Sequence, residues 1–236
     1  MPSTERICII GAGPVGLAVA KALGESGVAY THLEATDHVG GNWAHGVYET
    51  AHIISSRKTT EYPDWPMPAH WPNFPSAQQM KAYYEDFAAA HSLGQHIRFT
   101  ARVTAVRPDG SGWSVECEGA EPEHYRGVVV CNGHHWDRVL PEWASDFSGT
   151  VLHSKDYKRP DQLRGQRVLV VGGGNSGCDL VSEAARVASG ADWSLRRGYH
   201  FLPKTLLGVP TVELMTPWMP VAVQRIVLSL AVRLTL

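Results

Sequence analysis

The sequence has few cysteines and no long apolar run. Its four cysteines lie far apart and form no C-x-x-C pair, which argues against a disulfide framework and against a dithiol redox centre. We expect buried, reduced thiols in a cytoplasmic protein, and the first six residues leave no room for a signal peptide. The most apolar segment, residues 221–236, is interrupted by Arg225 and Arg233. Its charge-free core is therefore well short of the ~20 residues that span a bilayer.

The chain also lacks an excess of charge of either sign. Its 236 residues carry a formal net charge of −2, with an isoelectric point near 6.6. This balance gives no electrostatic footprint for nucleic acid. Apolar residues make up 44% of the chain, which is enough for one or two domains with a hydrophobic core. We find no internal repeat and no low-complexity tract.

A strand, a glycine turn and a helix begin the chain. Residues 7–10 are all apolar and predict a buried parallel strand, and residues 14–26 carry a helical pattern. Between them lies a turn with the G-x-G-x-x-G spacing, formed by Gly11, Gly13 and Gly16. This spacing allows a tight turn, a close approach to a pyrophosphate and packing of the helix on the strand. A second strand over residues 28–33 ends at Glu34, the expected partner of a ribose hydroxyl.

The same order of elements recurs further along the chain. Residues 167–171 predict another strand, which leads into a helix that extends to Gly190. The glycines of this second turn are Gly172, Gly174 and Gly177. The strand at 193–195 ends in Arg196 and Arg197, and arginine accommodates a 2′-phosphate. We therefore assign the first site to FAD or NAD and the second to NADP, with a solvated arginine pair as the alternative.

The segment between the two turns predicts further elements. Residues 61–75 hold five prolines among aromatic side chains and predict a stiff loop, either covering a planar ligand or packed on the core. A helix from Ser76 to Gly94 has an apolar stripe, and strands are predicted over residues 97–106, 113–117 and 125–131 as a small antiparallel insertion. The predicted fold is α/β, with two Rossmann-like domains at residues 1–160 and 161–236.

A third motif lies between the two nucleotide units. Residues 147–157, with the sequence Phe-Ser-Gly-Thr-Val-Leu-His-Ser-Lys-Asp-Tyr, resemble the F-x-G-x-x-x-H-x-x-x-Y fingerprint of the flavin-containing monooxygenases. Gly40-Gly41-Asn42-Trp43 and the order of the motifs agree with this resemblance, which covers essentially the whole chain and corresponds to the N-terminal half of the family. Members of the family are longer, so we expect the C-terminal part of its fold to be missing.

The resemblance implies two sets of binding residues. FAD would be bound by Gly11, Gly13, Pro14, Gly16, Glu34, Gly41, Asn42, Trp43 and Val103. NADP would be bound by Gly172, Gly174, Asn175, Ser176, Gly177, Arg196 and Arg197. The fingerprint residues Phe147, Gly149, His153 and Tyr157 would be structural and linked to NADP rather than acid–base catalysts. No metal is expected at His134 and His135, because neighbours on an extended chain point to opposite sides.

The resemblance also implies a reaction. NADPH would reduce FAD, the reduced flavin would capture dioxygen as a C4a-(hydro)peroxide, and one oxygen atom would pass to a nucleophilic nitrogen or sulfur in a small substrate. The protein would supply orientation and a dry cavity. Many members carry an asparagine beside the flavin, in the stretch that matches residues 53–58, where this chain has none. Ser55 and Ser56 are the candidates to replace its hydrogen bond.

Three alternative functions require features that differ from those of this sequence. Baeyer–Villiger monooxygenases usually end the fingerprint in tryptophan, where Tyr157 stands in this chain. A disulfide reductase needs a redox cysteine pair, which is absent. A truncated, non-catalytic nucleotide-binding module that needs a partner is the rival from another class. Consistent with such a partner or with self-association, apolar residues fall on one predicted helix at Val221, Val223, Ile226, Val227, Leu230 and Leu234.

Overall fold

The computed structural model describes residues 5–199, 201–214 and 218–235. Contacts between residues divide the chain into two compact units, one with residues 5–49 and 77–151 and the other with residues 50–76 and the described residues from 152 onward. The α/β class is confirmed. The sequence-based boundary at residue 160 assigned residues 50–76 and 152–160 to the first domain, whereas the contacts group them with the second unit.

The elements alternate between helices and strands along most of the chain. The α-helices are α1 Pro14–Glu25, α2 Asn42–His45, α3 Arg57–Thr60, α4 Ala77–Ala90, α5 Asn175–Val187, α6 Thr211–Leu214 and α7 Val221–Thr235. The strands are β1 Ile7–Ile10, β2 Tyr30–Leu33, β3 Ile97–Arg98, β4 Val103–Asp109, β5 Gly112–Cys117, β6 Glu123–Tyr125, β7 Gly127–Val130, β8 Arg167–Val171, β9 Gly190–Ser194, β10 Thr205–Leu206 and β11 Val209–Pro210. Short 3-10 helices occupy Leu93–His96, Glu142–Asp146 and Pro160–Leu163.

A parallel sheet forms the centre of the first unit. Its strands lie in the order β3-β2-β1-β7, and Cys8 of β1 is opposite Thr31 and Val128. The helix α1 buries Leu17 against this sheet. The predicted apolar stripe of α4 is confirmed, since all of its members are buried: Met80, Tyr83, Tyr84, Phe87 and Ala88. These contacts place the carboxyl end of β1, where the first glycine turn begins, above a packed core.

The antiparallel insertion is confirmed, but two of its predicted strands are each split. The strands β4, β5 and β6 pair in that order, with Gly110 in the left-handed region at the hairpin. Residues 97–106 were predicted as one strand, and the structure breaks it between β3 and β4, where Thr100 donates to Thr36 O at 2.9 Å. Residues 125–131 likewise become β6 and β7, which lie in different sheets. The amide of Arg126 donates to Arg6 O at 3.0 Å at that break.

The second unit pairs β8 with β9 in parallel, and α5 packs beside them. Residues 61–75 form neither a helix nor a central strand, as predicted; a single bridge pairs Tyr62 with Trp65. The predicted C-terminal helix is present as α7, with exposed apolar side chains at Val221, Val223, Ile226 and Val227. The side chains of Leu230 and Leu234 lie outside the described residues. Within the described ranges, no helix is long and apolar enough to cross a membrane.

The four cysteines are free thiols, but the prediction that they are buried holds for Cys8 alone, since Cys117, Cys131 and Cys178 are partly exposed. Cys8 is fully buried in β1, and burial raises the pKa of its thiol to about 12. Burial also raises the pKa of Cys131, which follows β7. These thiols remain protonated at neutral pH, so the structure supports neither a disulfide nor a reactive thiolate at Cys8 or Cys131.

Candidate dinucleotide-binding sites

The first glycine turn is sterically closed at two of its three glycines. Gly11 has a φ of +99°, and a Cβ atom on it would lie 2.6 Å from the carbonyl oxygen of Cys131. A Cβ atom on Gly16 would lie 1.8 Å from the carbonyl oxygen of Gly11. By contrast, a Cβ atom on Gly13 would meet only the Cα atom of Gly41, at 3.8 Å. Gly11 and Gly16 therefore shape the turn, and Gly13 leaves space at the N-terminus of α1.

The second glycine pair of the first unit lies against this turn. The amide of Gly40 donates to the carbonyl oxygen of Ala12 at 3.0 Å. Gly41 has a φ of +55°, and a Cβ atom on it would lie 3.1 Å from the Cα atom of Gly13. The side chain of Asn42 lies against Gly46, the C-cap of α2, since a Cβ atom on Gly46 would lie 1.8 Å from the Asn42 Oδ1 atom. Two glycine segments distant in sequence thus present bare backbone at one place.

Glu34 lies at the end of β2 and reaches the first turn. Its buried carboxylate accepts a hydrogen bond from the amide of Ala12 through Oε2, at 2.6 Å. Its other oxygen accepts from both the amide and the hydroxyl of Thr36, each at 2.8 Å. An ionised carboxylate offers about four acceptor positions, so one stays available for a hydroxyl donor. The predicted ribose partner therefore lies at the glycine turn.

His32 is a residue of the first turn that sequence reasoning missed. It is fully buried two residues before Glu34, and its Nε2 lies 2.9 Å from the carbonyl oxygen of Gly11, to which it donates. Its Nδ1 has no hydrogen-bond partner among the described residues. Burial lowers the pKa of the ring, so the ring is neutral at physiological pH. Its position in an apolar strand pattern gave no signal of this role.

The second glycine turn repeats the geometry of the first. Gly172 has a φ of +110°, and a Cβ atom on Gly177 would lie 2.3 Å from the carbonyl oxygen of Gly172. Gly174 precedes α5 as its N-cap, and Asn175 and Ser176 form the first helical residues. A Cβ atom on Gly172 or Gly174 would meet nothing within 4 Å. The N-terminus of α5 is therefore open to a ligand, with its amide groups pointing outward.

Arginine and tyrosine side chains follow β9. Arg196 and Arg197 are exposed, and the guanidinium of Arg197 lies 5.9 Å from the ring centroid of Tyr199. The Tyr199 ring lies against Gly173, between the first two glycines of the motif, since a Cβ atom on Gly173 would lie 2.6 Å from it. Sequence reasoning missed Tyr199, although an aromatic residue two positions after an arginine pair was a readable signal.

The fingerprint residues of the second unit make structural contacts. Tyr157 is fully buried, and its hydroxyl donates to the carboxylate of Glu183 on α5. The ring of His153 accepts a hydrogen bond from the amide of Lys155 at 3.1 Å. In the first unit, the ring of Phe147 lies 2.5 Å from the position of a Cβ atom on Gly149. These contacts agree with a structural role, and the link of the fingerprint to NADP stays a prediction.

The remaining predicted site residues have local partners. Val103 packs against a buried cluster that includes Cys8 and Leu33. Ser56 is buried and caps α3 by accepting the amide of Thr59 at 3.3 Å, and the Ser55 hydroxyl lies 2.6 Å from that of Thr60. Their place beside a flavin stays a prediction. In the part of the chain that the structure describes, no group of three or more metal-ligating side chains comes together.

The chain matches the family described as flavin-binding monooxygenase-like over residues 4–228. Flavin-containing monooxygenase 5 of Oryctolagus cuniculus is 38% identical over 215 residues, which cover 82% of this chain and 40% of that protein. Indole-3-pyruvate monooxygenase YUCCA1 of Oryza sativa subsp. japonica is 32% identical over 229 residues, covering 94% of this chain and 56% of that protein. The chain thus spans about half the length of these curated relatives.

Solved structures agree with these relatives. A flavin-containing monooxygenase from Stenotrophomonas maltophilia superposes with a TM-score of 0.79 at 29% identity, covering 96% of this chain and 68% of that one. The structure of OTEMO in complex with FAD and NADP superposes with a TM-score of 0.71 at 26% identity, covering 83% of this chain and 39% of that one. Two glycine turns, the fingerprint between them and these matches lead to one conclusion: the chain belongs to the flavin-binding monooxygenase-like family, whose members are flavin-dependent oxidoreductases.

Proposed function

We propose that this chain carries the FAD and NADPH sites of a monooxygenase that oxygenates a nucleophilic nitrogen or sulfur atom in a small organic substrate. The observation that carries the proposal is the contrast between its two glycine turns. The buried carboxylate of Glu34 lies beside the first turn. In the second unit, exposed Arg196 and Arg197 follow β9. One nucleotide would have a free ribose hydroxyl, and the other a 2′-phosphate.

The residues of the first turn fit FAD. Gly13 and Gly41 present bare backbone at the N-terminus of α1, where a pyrophosphate meets amide groups and the positive end of the helix dipole. Pro14 begins the helix without a competing amide. The free acceptor position of Glu34 suits a ribose hydroxyl. Trp43 and Val103 would contact the ring systems of FAD, as the resemblance implies.

The residues of the second turn fit NADPH. Gly172 and Gly174 leave open space at the N-terminus of α5, with Asn175 and Ser176 in its first turn. The two guanidinium groups of Arg196 and Arg197 offer charge-assisted hydrogen bonds to a 2′-phosphate. Tyr199 orders Arg197 through its ring face. This arrangement supports a preference for NADPH over NADH.

When bound, FAD would supply the reaction of its reduced ring with dioxygen, and NADPH would supply the hydride. The residues of this chain would bind and orient both cofactors and supply a dry cavity. The hydroxyls of Ser55 and Ser56 are the candidates to hydrogen-bond near the flavin. We also propose self-association or binding of a partner chain through α7, which is supported by the exposed apolar side chains of this helix. A cytoplasmic location is proposed separately, from the free cysteines.

Product analysis tests the oxygen-transfer step. The purified chain, loaded with FAD, is incubated with NADPH, ¹⁸O-labelled dioxygen and separate panels of tertiary amines, thioethers and ketones. We expect one labelled oxygen atom in an N-oxide or S-oxide for each NADPH consumed. An ester or lactone from the ketone panel alone would instead support a Baeyer–Villiger activity. Consumption of NADPH with release of hydrogen peroxide and no labelled product would contradict oxygen transfer by this chain.

A further inference from the structure

Glu183 is a buried carboxylate on the helix that begins at the second glycine turn. It lies about two helical turns after Asn175, which is the first residue of α5. Only 8% of Glu183 is exposed. A carboxylate in such a place is unfavourable unless its oxygens accept hydrogen bonds. Neither the motifs of the sequence nor the proposed function gives this side chain a role.

Two hydroxyl groups from different segments satisfy the carboxylate. Its Oε2 accepts from the Tyr157 hydroxyl, and its Oε1 accepts from the Thr50 hydroxyl. Tyr157 ends the fingerprint, and Thr50 begins the segment that contains Ser55 and Ser56. Hydrogen bonds from hydroxyls to an ionised carboxylate are stronger than neutral ones. One side chain of α5 therefore connects this helix to two other segments of the second unit.

The segment that carries Tyr157 forms a hydrogen-bonded turn. The amides of Asp156 and Tyr157 both donate to the carbonyl oxygen of His153, at 2.8 and 3.2 Å. Further along the chain, the amide of Gly165 donates to the carbonyl oxygen of Val187 at 3.1 Å, at the C-terminal end of α5. The helix is thus held at its end by the backbone, and in its middle by Glu183.

We propose that Glu183 is a positioning residue for NADP binding. Through Tyr157 and Thr50, its carboxylate fixes α5 along its axis, and with it the amide groups at the N-terminus that would bind the pyrophosphate. A binding site of this kind needs its donors within about 0.5 Å of the productive geometry. The inference rests on the proposed NADP site, and it gives the buried fingerprint residue Tyr157 a role in nucleotide binding through its hydrogen bond to Glu183.

Calorimetric titration of the full chain with NADP⁺ and with NAD⁺ tests the inference. We expect Tyr157→Phe and Glu183→Ala each to weaken the binding of both nucleotides about tenfold. The two factors should be equal, because the pyrophosphate is common to both nucleotides. Glu183→Gln keeps a carbonyl acceptor and restores most of the affinity. The double variant Y157F/E183A loses no more than E183A alone, since both changes remove the same contact. FAD affinity is unchanged in all of them.

Arg186→Gln, on the exposed side of the same helix, is the matched control and leaves both affinities unchanged. A merely structural role would lower the melting temperature and leave the dissociation constants of the folded protein unchanged, which would overturn the inference. If the Glu183 variants do not fold, Tyr157→Phe and Thr50→Val test the inference instead, by the same comparison of dissociation constants with the melting temperature. A wild-type chain that binds neither nucleotide would overturn the proposed NADP site itself, a result distinct from equal binding by wild type and variants.

Discussion

The carboxylate of Glu34 accepts a hydrogen bond of 2.6 Å from the amide of Ala12, in the middle of the first glycine turn. This contact joins the end of β2 to the turn after β1, so the acid that we assign to the ribose also shapes the loop that we assign to the pyrophosphate. Binding and folding are therefore coupled at Glu34. The same carboxylate accepts from Thr36, which lies two residues further along.

Glu34→Gln tests this coupling. The amide group would direct N–H donors toward the donors of Ala12 or Thr36, and we expect the free energy of unfolding to fall by about 1–3 kcal/mol. FAD affinity falls with it, as measured by flavin fluorescence during titration. Glu85→Gln, on an i,i+4 ion pair with Lys81 in which both side chains are exposed, is the control and changes stability by less than about 0.5 kcal/mol. Wild-type stability and FAD affinity in Glu34→Gln would contradict the assignment.

Two glycines of α1 give opposite predictions for the same substitution. Gly16→Ala places a Cβ atom 1.8 Å from the Gly11 carbonyl oxygen, so the helix or the turn must move. We expect a loss of about 1–3 kcal/mol in urea unfolding. Gly24→Ala meets only the Tyr30 ring at 4.0 Å and should gain up to about 1 kcal/mol from helix propensity. Equal effects at both positions would show that Gly16 does not pack on the turn.

The buried ring of His32 makes the free energy of unfolding of the first unit depend on pH. Its pKa is lowered by burial, so the folded state resists the protonation that the unfolded chain accepts near pH 6.5. The free energy of unfolding therefore falls as the pH drops below about 6.5, with a slope of at most about 1.4 kcal/mol per pH unit, and levels off below the folded-state pKa. Urea unfolding across this range should show a flatter profile for His32→Gln. The exposed His70→Gln is the control, and an unchanged slope in His32→Gln would refute the assignment.

Nucleotide preference depends on the arginine pair after β9. The double change Arg196→Ala and Arg197→Ala removes charge-assisted bonds to the 2′-phosphate, so NADP⁺ should bind about 10- to 100-fold more weakly while NAD⁺ is nearly unchanged. The ratio of the two dissociation constants measures this effect. Arg164→Ala, in an exposed pair with Asp161, keeps the wild-type ratio. An unaltered ratio in the double variant would mean that the pair is only a solvated surface feature.

Local patterns in the sequence were sufficient to predict the two strand–turn–helix units. Apolar runs, glycine spacing and the residues after β2 and β9 predicted both turns and the contrast between Glu34 and Arg196. These features depend on neighbours within one strand–turn–helix unit, whose geometry is the same in many proteins. The steric closure at Gly16 follows from the motif alone.

Contacts between distant segments could not be read in the same way. The alternation at residues 97–106 fits a strand, but period two does not say which sheet a strand joins. The chain breaks there because the amide of Ala101 donates to Glu34 O at 2.8 Å and Thr100 takes a φ of +53°. Glu183 was missed for a similar reason, since its partners Tyr157 and Thr50 lie 26 and 133 residues away.

We propose above all that this chain binds a flavin and a nicotinamide nucleotide in functional sites. The most direct test of this proposal is an absorbance spectrum of the purified chain after incubation with FAD and desalting, followed by NADPH under argon. We expect a retained flavin band that bleaches with NADPH, and that bleaches faster with NADPH than with NADH. A colourless protein after desalting, or a flavin band that NADPH leaves unchanged, would contradict the proposal and favour a nucleotide-binding module that needs a partner chain.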